Sequence, residues 1–295
     1  MRLRDHTRSP ARVRRAAAAG GVSVLALVTL SGCRASWSNG LLLKGVTQES
    51  HRVNALWDGA WVALLSVGLL VWGLTAYVVI RFRRKDGDDE LPEQIRYNVP
   101  LEVLYTVVPV LMIAVFFFFT ARDESALLDV SKKPDVTINV VGKQWSWDFN
   151  YIEANVHEVG TQAELTGQPG VEATLPTLWL PVHKRVEFLL TSRDVDHSFW
   201  VPAFLQKMDT IPGRVNRFQV VLEQEGTFQG RCAELCGAYH SQMLFQVKVV
   251  SWAVYQQHMS ELRAAGQSGL LSNNLNRSQI LPQDQHLLPT PTGSS

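Results

Sequence analysis

Residues 61–80 (WVALLSVGLLVWGLTAYVVI) and 103–121 (VLYTVVPVLMIAVFFFFTA) contain no Asp, Glu, Lys or Arg. Twenty residues at about 1.5 Å rise cross the ~30 Å hydrocarbon layer of a bilayer. Each run therefore predicts a membrane-crossing helix, and together they predict a hairpin over 57–122. A buried helix of a soluble core would be shorter and less continuously apolar. Trp57, Trp61 and Tyr77 sit near the ends of the first run, where interfacial aromatics belong. The rest of the 295 residues is ordinary polar sequence, so a wholly soluble cytosolic protein is excluded. With 28 Lys+Arg against 27 Asp+Glu, no global charge favours nucleic acid.

The N-terminus reads as a targeting segment. Residues 1–15 carry six Arg and one Asp, and an apolar stretch over 16–30 ends in Leu30-Ser31-Gly32-Cys33. Cys33 directly after Leu-Ser-Gly resembles the lipobox of bacterial lipoproteins. That resemblance implies a signal peptide over 1–32 and an acylated Cys33 as the mature N-terminus; the other reading is an uncleaved first helix with an incidental Cys. Removing 1–32 leaves 22 positive against 26 negative charges. An acylated Cys33 lies outside the cell. Residues 33–56 then form an extracytoplasmic segment, the Arg81–Lys85 basic cluster faces the cytoplasm, and everything after Arg122 is outside again.

The outer part, 123–252, reads as all-β. Residues 136–141, 145–151, 185–190, 217–222 and 244–250 are apolar-rich and mostly alternating, which predicts a sandwich or barrel. Trp145 and Trp147, two apart, are expected on one face. Residues 153–174 read as a loop. A helix over 253–265 leads to a polar tail, 266–295, expected to be disordered.

The chemistry is concentrated in Gly230-Arg-Cys-Ala-Glu-Leu-Cys-Gly-Ala-Tyr-His-Ser-Gln-Met243. Cys232, Cys236, His240 and Met243 bring two thiols, an imidazole and a thioether into twelve residues, and His197 lies upstream in Asp194-Val-Asp-His-Ser-Phe-Trp. These soft and borderline donors select copper over magnesium, calcium or manganese. A single blue-copper ion uses one Cys, so the second thiol suggests two bridged coppers. A Cys232–Cys236 disulfide and a Cys2His2 zinc site are the competing readings, and Met243 favours copper over both. Phe199, Trp200 and Phe245 could exclude water from such a site, although Phe245 reads best as plain core. Glu102, at the cytoplasmic start of the second run, is the other charge that matters, since a carboxylate at a membrane segment is a functional candidate.

Cys-x-Glu-x-Cys-x3-His-x2-Met with His197 upstream resembles the binuclear CuA signature of the cytochrome c oxidase subunit II family. The resemblance implies a two-helix hairpin carrying an all-β, cupredoxin-like sandwich. It further implies that Cys232 and Cys236 bridge two coppers, that His197 and His240 cap one each, and that Met243 and the Glu234 carbonyl contribute weak axial contacts. By the same resemblance the Glu234 carboxylate holds Mg or Mn shared with subunit I. The resemblance also implies that Trp145 is the aromatic through which electrons arrive from cytochrome c and that Glu102 stands at the mouth of a proton channel. Asp194 and Asp196 could form an acidic docking patch, which Lys143 and Arg193 interrupt; a membrane-tethered cytochrome donor is therefore as fitting as a soluble one. Subunits I and III and membrane lipid are the remaining expected partners. No oxygen chemistry is expected on this chain, and without Cys-x-x-Cys-His it carries no fused haem c. The rivals are a copper-free quinol-oxidase-type subunit, opposed by the complete ligand set, and a tethered copper carrier, opposed by the long hairpin.

Overall fold

The computed structural model describes residues 43–84, 87, 94–166 and 170–289. The chain divides into two units, 1–42 and 43–295, and the described residues belong to the second. The expected signal peptide and Cys33 lie outside them.

Helix α1 (Ser50–Arg81) and helix α2 (Val99–Leu127) contain the two charge-free runs, and both are long and apolar enough to cross a membrane. Each extends past its apolar run into polar sequence, and 32 residues reach about 48 Å. The α2 start is fixed reciprocally. Asn98 Oδ1 accepts from Leu101 N at 3.3 Å and Glu102 Oε1 accepts from Asn98 N at 3.0 Å, satisfying amides that a helix start leaves unpaired.

Among the described residues ten strands follow: β1 (Val136–Lys143), β2 (Ser146–Tyr151), β3 (Val156–Glu158), β4 (Thr177–Pro181), β5 (Arg185–Ser192), β6 (His197–Val201), β7 (Gln206–Thr210), β8 (Asn216–Val221), β9 (Gly226–Cys232) and β10 (Leu244–Val250). They form two five-stranded sheets, β3-β2-β1-β5-β8 and β4-β10-β9-β6-β7. This is the two-sheet form of the expected cupredoxin-like sandwich. Inward residues alternate along the strands, and Ile138, Val140, Phe188, Leu190, Phe218 and Val247 are fully or almost fully buried. At the centre Phe199 stacks on Phe245 with ring centroids 5.1 Å apart, and Trp147 meets Phe245 edge-on at 5.5 Å. Each such side chain contributes roughly 1.5–3 kcal/mol by leaving water. Gly230 is required here, because a Cβ on it would stand 2.1 Å from the Phe245 ring.

The sandwich is tied to the hairpin at one end. Val46 N donates to Ala203 O at 2.9 Å, Thr47 bridges Leu222, and Glu49 Oε2 accepts from Val221 N at 2.9 Å. One turn further along, Asp123 of α2 pairs with Arg122 at 2.8 Å and with Arg52 of α1 at 3.4 Å.

Two expectations need correction. The stretch 153–174 is not all loop: β3 extends the first sheet, and Val171–Thr174 is a 3-10 turn. Nor is the described tail disordered. After helix α3 (Trp252–Ala264), Ser268 bridges Val156, Leu271 N donates to Asn150 Oδ1 at 2.8 Å, and Arg277 N donates to Arg193 O at 2.8 Å. Ile280 and Leu288 bury against Leu189 and Val215. The composition misleads because the tail builds no core of its own; it covers the outward side of β5 with backbone hydrogen bonds and a few apolar anchors.

Candidate metal centre

β6 and β9 are adjacent antiparallel strands with Phe199 opposite Cys232. His197, two residues before Phe199, therefore shares the inward face, and Cys232 closes β9 beside it. The chain then loops out and returns at Met243, where Cys232 N donates to Met243 O at 3.0 Å. Gly237, with φ +127°, lets this loop turn tightly.

The loop gathers the donors named from sequence. Cys232 Sγ lies 3.9 Å from His197 Nδ1 and 3.2 Å from the Glu234 carbonyl oxygen, to which it donates. Cys236 Sγ lies 3.5 Å from His240 Nδ1 and 3.8 Å from Met243 Sδ. The two thiols are free and 3.9 Å apart, within the reach of two bonds of about 2.3 Å to one ion. His197, Cys232 and Cys236 are buried, and their donor atoms lie within 4.8 Å of one another. Each thiol faces its own imidazole. The Glu234 side chain is exposed.

Burial pushes the Cys232 thiol up, but the His197 contact and neighbouring backbone groups more than offset it, leaving it below the ordinary value. Cys236 is pushed up to about 12, by burial and by the Cys232 charge. His197 is likewise pulled two ways. Burial disfavours its cation, while Asp194 and Cys232 favour it, and the net shift is upward.

Several neighbours organise this cluster. Asp194 Oδ1 lies 2.8 Å from His197 Nε2, and the same carboxylate accepts from Gln144 N and Val195 N at 2.8 Å each. Burial raises the Asp194 carboxyl, and these hydrogen bonds bring it below its ordinary value. Asp194 thus supports the ring, while Asp196 is exposed. Lys143 and Arg193 both bind the buried Asp148, at 2.6 and 3.1 Å. Gly142 leaves room for the His197 ring, since a Cβ there would stand 2.9 Å from Cδ2.

Trp145 and Trp147 differ from the expected shared face. Trp145 is in the turn before β2, half-buried, and its Nε1–H donates to Cys236 O at 3.3 Å. Trp147 is fully buried among the core aromatics. Tyr239, which the sequence reading passed over, meets Trp145 edge-on with ring centroids 4.9 Å apart. Its position inside the ligand loop was the available signal. Glu102 lies at the far end of the hairpin, bonded to Asn98, well separated in the chain from this cluster.

The profile of the family described as "Cytochrome C oxidase subunit II, periplasmic domain" matches residues 136–250. A Streptomyces avermitilis protein named "Probable cytochrome c oxidase subunit 2" is 52% identical over 254 residues, covering 76% of this chain and 79% of its own length. The chain belongs to the cytochrome c oxidase subunit II family. The Mycobacterium tuberculosis cytochrome c oxidase subunit 2 is 38% identical over 295 residues, spanning 82% of this chain and 80% of that one. Among solved structures, the periplasmic domain of cytochrome oxidase subunit II from Bradyrhizobium japonicum is 32% identical, with a TM-score of 0.42, covering 45% of this chain and 97% of that chain. As a subunit II, the protein combines two apolar helices with an extracytoplasmic β-sandwich and a His/Cys/Cys cluster able to hold copper.

Proposed function

We propose that this subunit II is the electron-accepting subunit of its oxidase, taking electrons from a cytochrome c, soluble or membrane-tethered, and passing them to haem of subunit I. There, oxygen is reduced to water with proton translocation. The single observation that carries this reading is the pairing in the loop: two free thiols 3.9 Å apart, each facing a different imidazole, with a thioether and a carbonyl beside them. Such a set suits two coppers, held by His197, Cys232, Cys236, His240, Met243 and the Glu234 carbonyl. Bound there, copper would supply reversible one-electron transfer. The chain's own contribution is to hold the donors before the metal arrives. Asp194 fixes the His197 ring so that Nδ1 faces the thiol, as carboxylates do for metal-binding histidines. Phe199, Phe245 and Trp147 keep water from the inner side.

Trp145 supports the direction of flow. It is half-exposed on one side and hydrogen-bonded to the Cys236 carbonyl on the other, a short path from the surface to a ligand. Glu102 guards proton uptake at the opposite end of the hairpin, the exposed Glu234 carboxylate binds Mg or Mn against subunit I, and subunit III completes the complex. Cys33 carries the lipid.

Copper per chain and the electron paramagnetic resonance spectrum of the purified complex test this reading. Two coppers sharing one unpaired electron are expected, lost in Cys232→Ser and kept with a shifted potential in Met243→Leu. One copper per chain, or a Cys232–Cys236 disulfide in the copper-loaded complex, would refute it. Mass spectrometry of the N-terminus tests the lipid on Cys33.

A further inference from the structure

The cleft between α1 and α2 changes character along its length. Its deeper part is an apolar groove of about 690 Å³, walled by Ala55, Gly59 and Ala63 on α1 and by Val115, Phe116 and Phe119 on α2. The small residues recur every four positions, so they form one stripe on α1, opposite a ridge of large side chains. Where the groove reaches the sandwich it meets Arg122 and Asp123. Directly beyond is a polar pocket of about 260 Å³, lined by Glu49, Arg52, Asp129, Lys132, Arg185 and Gln219. Arg52 and Asp123, 3.4 Å apart, join the two parts.

The polar end is not self-sufficient. Arg52, Arg122, Lys132 and Arg185 face Glu49, Asp123 and Asp129, which leaves one excess positive charge. Asp123 is shared by two arginines, Glu49 is held by Arg185 at 3.7 Å, and Asp129 accepts from Ser131 N at 3.0 Å. Lys132 pairs with no carboxylate within 4 Å among the described residues. Gln219 is 2% exposed, and its Nε2 donates to Lys132 O at 2.8 Å, which fixes the lysine backbone at the pocket wall. The pocket therefore calls for a ligand with a negative charge for the cations, continuous with an apolar chain.

We propose that this cleft binds an anionic glycerophospholipid, for which phosphatidylglycerol is the probe. The acyl chain lies in the groove along Ala55, Gly59 and Ala63. The phosphodiester is held by Arg52 and Lys132. A helix of a neighbouring subunit could cover the groove but would leave the polar pocket unanswered, whereas one amphipathic molecule satisfies both ends. The site rests on the hairpin crossing the membrane and is independent of the copper reading.

Native mass spectrometry of the purified, delipidated oxidase complex, titrated with phosphatidylglycerol or phosphatidylcholine, tests it. Gly59→Leu places side-chain bulk in the groove, at a position where a Cβ meets nothing within 4 Å. Lys132→Glu reverses the charge at the head. Each substitution should remove one tightly bound phosphatidylglycerol per complex, with at least tenfold weaker rebinding, and phosphatidylcholine should bind the unmodified complex at least tenfold more weakly. Unchanged binding in both variants, equal binding of the two lipids, or cysteine cross-links from position 59 to a partner helix would overturn the proposal. Alkaline extraction of the membranes separates the premises. Release of the chain refutes the span, while retention with unaltered lipid binding refutes only the site.

Discussion

Asp194 Oδ1 stands 2.8 Å from Nε2 of His197, which leaves Nδ1 of the same ring facing Cys232 Sγ at 3.9 Å. The carboxylate so selects which nitrogen carries the proton and which is left to bind a metal. Asp194→Ala should weaken copper binding about 10–100-fold, the cost typical of losing such a support. Asp194→Asn, which still accepts a hydrogen bond, should lose less. Competition against a calibrated copper chelator measures both, and equal affinities in all three proteins would refute the assignment.

The two thiols should separate by reactivity in the metal-free protein. Cys232 ionises below the ordinary thiol value and Cys236 is pushed up to about 12, and only thiolates alkylate. As the pH rises, Cys232 gains its charge first, while Cys236 stays protonated until the pH approaches 12. Timed alkylation with peptide mapping at pH 8 should label Cys232 first, and His197→Ala should slow that labelling.

Electron delivery and proton uptake should fail independently. Trp145→Ala should slow reduction by the cytochrome donor at least tenfold with the copper spectrum intact, since truncating a central contact aromatic can cost about 2 kcal/mol. Glu102→Ala should leave copper reduction normal and slow turnover partially. Stopped-flow reduction alongside steady-state oxygen consumption distinguishes them; an exchange of the two phenotypes would show that the roles are misassigned.

Gly230→Ala probes the packing beneath the metal loop. The added Cβ falls 2.1 Å from the Phe245 ring, and overpacking of this kind costs about 1–3 kcal/mol. The melting temperature should fall by several degrees, and Phe245→Leu in the same chain should recover part of the loss.

The ligand loop, the hairpin and five strands were legible because each carries its own local signal: donor spacing, charge-free length or apolar alternation. What the sequence hid depended on neighbours distant along the chain. β7 and β9 are short on apolar alternation, and their burial patterns are irregular; β7 is a strand because it pairs with β6, and β9 because it pairs with β10 and β6. Asp194 looks like a surface acid until β6 places His197 against it. The tail's polar composition concealed its packing, since its partners, Asn150, Arg193 and Leu189, lie far upstream.

The tie between Thr47 and Leu222 also dictates an order of biogenesis. Both membrane helices precede Leu222 in the chain, so both can insert before the tie can exist. Its far half reaches the outer side only after most of the sandwich has been exported, and a contact between such distant positions closes late. Until then the ligand loop, still further downstream, is not anchored to the hairpin through this tie. The sandwich is therefore fastened to the hairpin only once β8 is in place and Leu222 has met Thr47.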